Sequence, residues 1–164
     1  MKYKKIFDLK NRVAVITGAT GMLGKEFSLA LAEYGCKVAI IDLDLKKVTS
    51  FSDRLTKKFG VKSIGINCDV SNTKDVKNMV KSVEEYLGPI DILLNNAASK
   101  SNSLDEYFKS LENYNIDIWK EVIDVNLTGM YIVAKEIGSK MAKRKSGSII
   151  QTASIYSSMM ASDQ

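Results

Sequence analysis

Apolar and polar positions change their period along this chain in a regular order. Dense apolar runs at Arg12 to Thr17, Lys37 to Asp42, Lys62 to Cys68, Ile90 to Asn95 and Ser148 to Thr152, most of them rich in Val, Ile and Leu, predict buried strands. Between them apolar residues recur every three or four positions, as on one face of a helix. The first such stripe is Leu23, Phe27, Ala30, Leu31 and Tyr34; the second is Val48, Phe51, Leu55 and Phe59; the third is Val76, Met79, Val80, Val83 and Leu87. Gly35, Gly60 and Gly88 stand where left-handed caps would end these helices, and the lone proline, Pro89, follows to start the next strand. Strands alternating with helices require a parallel sheet covered on both faces. The expected fold is therefore α/β, a doubly wound parallel sheet with helices on both faces, in a single domain over 1–164 without repeats or linkers.

A fourth helix carries the stripe Trp119, Ile123, Met130, Val133, Ile137 and Met141, and position 126, where the stripe demands a hydrophobe, is Asn126. Burying an amide without a partner costs roughly 1–3 kcal/mol, so Asn126 must hold something. By itself an Asn there serves equally well to satisfy a bend in its own helix, with Gly129 three residues on.

Residues 17–24 read Thr-Gly-Ala-Thr-Gly-Met-Leu-Gly directly after the first strand. Without a Cβ at 18, 21 and 24 the chain can turn sharply, bring backbone N–H groups against a pyrophosphate and pack the next helix close to the sheet. Asp42 ends the second strand, 18 residues beyond Gly24. A carboxylate at that separation accepts the hydroxyls of an adenosine ribose and repels a 2′-phosphate, which favours NAD over NADP.

Composition narrows the function classes. A chain of 164 residues is about one domain, and 45% hydrophobic with 26% charged residues lies in the range of packed globular proteins rather than disordered ones. The net charge of +5 comes from lysines spread along the chain, with clusters at Lys2, Lys4, Lys5 and at Lys140, Lys143, Arg144, Lys145. The second cluster ends a predicted helix, where cations suit the dipole, so no nucleic-acid partner is expected. Histidine is absent, which removes a Ser-His-Asp triad, His acid–base catalysis and His-ligated metal; no metal site is expected. Cys36 and Cys68 form no motif and fit a reducing cytoplasm. Asp8, Lys10 and Arg12 interrupt any apolar run behind the basic start, so neither an export signal nor a membrane partner is expected.

Together these segments resemble the short-chain dehydrogenase/reductase superfamily. The resemblance rests on residues 17–24, Asp69-Val70 after the third strand, Asn95-Asn96-Ala97-Ala98 after the fourth, Asn126-Leu127-Thr128-Gly129, and Gly147 to Ser154. It implies a Rossmann-type NAD(P)-binding domain in which Gly18, Thr20, Gly21, Leu23 and Gly24 surround the pyrophosphate. Asp42 would bind the adenosine ribose, Asp69 and Val70 the adenine, and Asn96 with Ala97 would lie beside the nicotinamide ribose. Asn126 would be the helix Asn of the catalytic set, and Ser154 the serine that hydrogen-bonds the substrate oxygen. Leu43 stands where NADP-preferring relatives often carry a basic residue, so the resemblance also points to NAD.

Two departures accompany the match. The Gly-x-x-Gly-x-x-Gly spacing is that of the nucleotide-sugar-modifying branch, with Met22 where the single-domain branch usually has glycine. The second departure concerns the Tyr-x-x-x-Lys pair that the family places after the serine strand. Nothing after Ser154 reads so; Tyr131 and Lys135 have the spacing but precede the serine, and Lys135 falls off the stripe of Asn126. The expectation is an N-terminal portion of a longer NAD-dependent oxidoreductase, acting on a small alcohol or ketone and forming a homodimer or homotetramer when full length. A non-catalytic NAD-binding module and an NAD-dependent nucleotide-sugar epimerase or dehydratase are the alternatives.

Overall fold

Five parallel strands form one sheet in the order β3-β2-β1-β4-β5 in the computed structural model, which describes residues 6–101 and 103–154. They are β1 (Val13–Thr17), β2 (Lys37–Asp42), β3 (Ser63–Asn67), β4 (Ile92–Asn95) and β5 (Ser148–Gln151), each within two residues of its predicted run at either end. Val15 of β1 lies opposite Ala39 of β2 on one side and Leu93 of β4 on the other. Successive strands run outward from β1 to β3, after which the chain crosses back to place β4 on the other flank of β1. That reversal opens a crevice at the C-terminal ends of β1, β2 and β4, where open α/β sheets take their ligands.

Both faces of the sheet are covered, as expected. On one face Ala14, Ile16, Val38 and Ile40 pack under α1 (Met22–Glu33) and α2 (Leu45–Phe59), which contributes Val48, Phe51 and Leu55. On the other, Val13, Val15, Ala39 and Ile41 meet α3 (Thr73–Leu87), which buries all five residues of its predicted stripe. Local chemistry sets the helix ends. The Asp44 carboxylate accepts the Lys47 N–H at the start of α2, which holds that carboxyl below its ordinary range, and Asn72 does the same for two N–H groups of α3. Gly35, Gly60 and Gly88 all have positive φ; Gly60 ends α2 in the left-handed region (φ 70°, ψ 11°), whereas Gly88 at the end of α3 lies outside it (φ 107°, ψ −173°).

Two expectations need correction. In α1 the buried positions are Gly24, Ser28 and Ala32, whereas Leu23 and Tyr34 of the predicted stripe are exposed. The reason is distance: α1 lies so close to the first loop that a Cβ on Gly24 would collide with the Gly18 carbonyl oxygen. Small residues therefore face inward, and Ser28 satisfies its hydroxyl on the Gly24 carbonyl at 2.7 Å. Hydropathy period finds bulk, not close approach. The predicted fourth helix is not continuous either. It consists of α5 (Ile116–Ile123), one π-helical stretch at Asp124–Gly129, and α6 (Met130–Arg144). The wider turn shifts the phase, so Val133, Ile137 and Met141 are core while Trp119 is exposed. Among the described residues between β4 and α5 lie one helical turn, α4 (Leu104–Tyr107), and a 3-10 turn at Leu111–Asn113. The basic residues Lys2, Lys4 and Lys5 lie outside the described residues.

Candidate functional site

The crevice at the strand ends is a cleft of about 970 Å³. Its floor begins at the loop from β1 into α1. Gly18 holds a left-handed φ of 62°, and a Cβ there would stand 2.9 Å from the Ala97 Cα. Two adjoining loops thus touch backbone to backbone because one of them has no side chain. The loop is pinned from both sides, with the Ala19 N–H on the Ile41 carbonyl at 3.1 Å and the Gly21 N–H on the Gly18 carbonyl at 3.2 Å. No side chain caps the N-terminus of α1. Its first-turn N–H groups, with the positive end of the helix dipole, border the cleft at Met22, Leu23 and Gly24.

Asp42 sits at the tip of β2, half-buried, with both carboxylate oxygens engaged. One accepts the Thr20 N–H at 2.9 Å and the Thr20 hydroxyl at 2.7 Å; the other accepts the Leu43 N–H at 2.8 Å. The acid is thereby fixed beside the glycine loop, on the wall of the same cleft. Asp69 is held by a turn of its own, accepting the Ser71 N–H and hydroxyl at 2.9 and 2.7 Å. Val70 is buried between the cleft and Gly129, where a Cβ would come within 2.9 Å of a Val70 methyl. Cys68, beneath them, is kept as a neutral thiol: burial first, then the charges of Asp75 and Asp69, pushes it up to about 12. This end of the cleft is therefore an apolar floor with two oriented carboxylates at its rim.

The opposite end is built on a buried hydroxyl. Thr17 accepts the Asn96 N–H at 2.9 Å and the Ala97 N–H at 3.0 Å, and donates to the Asn95 side-chain carbonyl at 3.2 Å. Asn95 passes the restraint on, its amide donating to the Met130 carbonyl at 2.8 Å. Asn96 and Ala97 are thus fixed at the cleft wall by a threonine 79 and 80 residues earlier in the chain. Asn126, in the π-helical stretch, clasps Ser99 by both backbone groups: its carbonyl accepts the Ser99 N–H at 2.7 Å and its amide donates to the Ser99 carbonyl at 2.9 Å. The loop continues through Ser101, whose hydroxyl donates to Glu121 at 3.0 Å. Asn126 therefore acts on the cleft through Ser99, which lines it.

Ser154 is exposed, three residues past β5, and closes the described part of the chain. Thr152 ties that segment to the site, its N–H on the Asn95 carbonyl at 3.1 Å and its hydroxyl on the Asn96 side-chain carbonyl at 3.3 Å. Tyr131 and Lys135 share an exposed helix face, the ammonium 6.0 Å from the ring centre, and neither borders the cleft. Among the described residues no three His, Cys, Asp or Glu side chains converge on a point. Sequence pattern alone does not single out Thr17, Asn95 or Ser99. The available signal was a polar residue ending each of two otherwise apolar central strands.

A sequence profile described as short chain dehydrogenase matches residues 12–163. The chain belongs to that family. It is 35% identical to the sorbose reductase of Candida albicans over 150 residues, covering 92% of this chain and 52% of that protein. Among solved structures it resembles an NAD+-bound xylitol dehydrogenase, with a TM-score of 0.85 and 29% identity over 93% of this chain and 56% of that one. It likewise resembles the NADPH-dependent 3-quinuclidinone reductase of Rhodotorula rubra, with a TM-score of 0.87 and 28% identity over 98% of this chain and 58% of that one. The chain spans little more than half the length of these relatives. The family's nicotinamide dinucleotide fits the cleft on the structure's own terms: glycine positions that a Cβ would fill face uncapped helix N–H groups, and an oriented carboxylate stands at the far rim.

Proposed function

We propose that residues 1–164 form one NAD(P)-binding Rossmann domain of an oxidoreductase that uses NAD in preference to NADP and acts on a small alcohol or ketone. The observation that carries this reading is the convergence of the Gly18 to Gly24 loop and the Asp42 carboxylate on one cleft. Gly18, Thr20, Gly21, Leu23 and Gly24 hold the pyrophosphate; Asp42 receives the adenosine ribose; Asp69 and Val70 border the adenine; Asn96 and Ala97 border the nicotinamide ribose. The dinucleotide, when bound, supplies the hydride chemistry, and the chain supplies orientation.

Within that reading Asn126 fixes the loop that carries Ser99 along the nicotinamide end, and Ser154 orients the substrate oxygen by hydrogen bonding. The relatives named above are reductases and dehydrogenases, which supports an enzyme over a non-catalytic module and leaves the epimerase reading without support. A homodimer or homotetramer in the cytoplasm is proposed for the longer protein. Among the described residues no helix is long and apolar enough to cross a membrane.

Calorimetric titration with NAD and NADP tests the reading. NAD is expected to bind more tightly at physiological ionic strength, and Asp42→Ala is expected to narrow the gap by up to roughly tenfold, about one pK unit's worth of interaction. Equal affinity for both dinucleotides in the unmutated protein would sink the NAD preference; no binding of either would sink the cofactor reading altogether.

A further inference from the structure

The turn after Ala98 carries a backbone conformation that its sequence does not favour. Ser101 has φ 66°, in the left-handed region that glycine takes freely and serine takes at a cost. Among the described residues two other non-glycine residues share it: Asn11 in the turn before β1, and Lys145, which ends α6 as its left-handed cap. Neither borders the cleft, whereas Ser101 directly follows Ser99 and Lys100, both of which line it. A residue held in such a conformation persists only where its surroundings over-determine it. Three bonds do so here. The Ser101 N–H donates to the Ser99 hydroxyl at 3.0 Å, the Ser101 hydroxyl accepts the Ser103 N–H at 3.3 Å, and that same hydroxyl donates to the Glu121 carboxylate at 3.0 Å. The first two lie within the turn and travel with it; the third ties the turn to a helix, α5.

Glu121 is half-buried and lines the cleft itself, as Lys100 does. For a carboxylate an ammonium is the stronger partner, yet Lys100 enters no ion pair among the described residues and Glu121 engages the Ser101 hydroxyl. The carboxylate therefore sets the course of the chain rather than neutralising the loop's cation. Asn126 already clasps both backbone groups of Ser99, and a grip on one residue leaves the chain beyond it free to rotate. Glu121 supplies the second grip, two residues on. We infer that Glu121 is a positioning residue for the nicotinamide end of the cleft: it holds Ser101 left-handed, and so fixes the turn on which Ser99 and Lys100 face a bound dinucleotide. The inference rests on the cofactor reading above and deepens it. Without the carboxylate Ser101 relaxes to negative φ and the turn leaves the cleft wall, while Asp42 and the glycine loop at the other end keep their own bonds.

The test compares NAD, which spans the cleft, with 5′-AMP, which occupies its adenosine end alone. Both are titrated calorimetrically into the protein and into variants whose folding is checked by thermal melting. Glu121→Ala is expected to weaken NAD by roughly three- to tenfold, the worth of one hydrogen bond at a half-buried site, and to leave 5′-AMP within about twofold. Ser101→Ala breaks the same bond from the other side and should give the same split, which keeps the test decisive if Glu121→Ala does not fold. Glu121→Gln retains an acceptor oxygen and should recover NAD affinity to within about twofold of the unmutated protein. Ser101→Gly takes the left-handed conformation without strain, so in that background Glu121→Ala should cost less than about twofold. Equal losses for both ligands, or no loss for NAD, would overturn the positioning role and leave the cofactor reading intact. So would a Glu121→Ala loss that persists in full in the Ser101→Gly background, since the carboxylate would then act on the ligand directly. Failure of the unmutated protein to bind either ligand would count against the cofactor reading, and the inference would fall with it.

Discussion

Strands β1 and β5 both pair in parallel with other strands of one sheet, yet every residue of β1 is buried and every residue of β5 is exposed. The same contrast runs through the two ends of the cleft. At the glycine-loop end, Gly18, Asp42 and Val70 sit at strand ends and turns against the buried core, with Asp42 also fixed by the Thr20 and Leu43 donors. At the other end, the segment from Asn96 to Ser101 is held by single side chains reaching in from elsewhere: Thr17, Asn126 and Glu121. One end adds close packing to its hydrogen bonds, the other rests on a few hydrogen bonds alone, and they should respond differently to mutation.

The sharpest way to break this contrast is to trade an apolar residue in each strand. Ile16→Ala in β1 is expected to cost about 2–5 kcal/mol, because a fully buried side chain leaves a cavity between sheet and helices. Ile150→Ala in β5, where the side chain is 52% exposed, should cost well under about 1 kcal/mol. Urea unfolding of both variants checks the ratio; comparable losses would mean that β5 is covered in solution.

Asn126→Ala should cost about 1–3 kcal/mol by stranding the Ser99 N–H and carbonyl, with faster amide exchange confined to the loop after β4. Asn126→Asp, which keeps the acceptor and loses the donor, should fall between. Exchange that spreads into β1 would show that the two ends are not independently held. At the packed end, Gly18→Ala should cost about 1–2 kcal/mol from the left-handed backbone alone, and more if the Ala97 loop cannot move away. Its signature is a loss of dinucleotide affinity larger than the loss of stability, read by titration alongside thermal melting.

The last effect appears only at alkaline pH. Burial and nearby carboxylates push Cys36 and Cys68 up to about 12 from an ordinary 9.0. The folded state thus keeps a proton that the unfolded state gives up, so this contribution is complete below about pH 9 and is lost as pH rises toward 12. Cys68→Ala should flatten the alkaline side of the stability curve, and melting temperatures between pH 8 and 11 would show it.

How much of this was legible in the sequence follows from which forces are local. The five strands, the inward faces of α2 and α3, and the cap at Gly60 all follow from hydropathy period and side-chain chemistry within a few residues. The glycine loop and Asp42 could be paired from their separation alone, because a strand, a turn and a helix of ordinary length bring the two strand tips together. The buried face of α1 could not be read, since it depends on how near the helix lies to the Gly18 carbonyl, and small residues carry no hydropathy signal of that distance. The π-helical stretch that aims Asn126 at Ser99 was equally invisible, as were the bonds from Thr17 to residues 79 and 80 positions away. Sequence determined the elements and their chemistry, because those depend on neighbours along the chain; the fold decided which polar groups face one another, because that depends on neighbours in space.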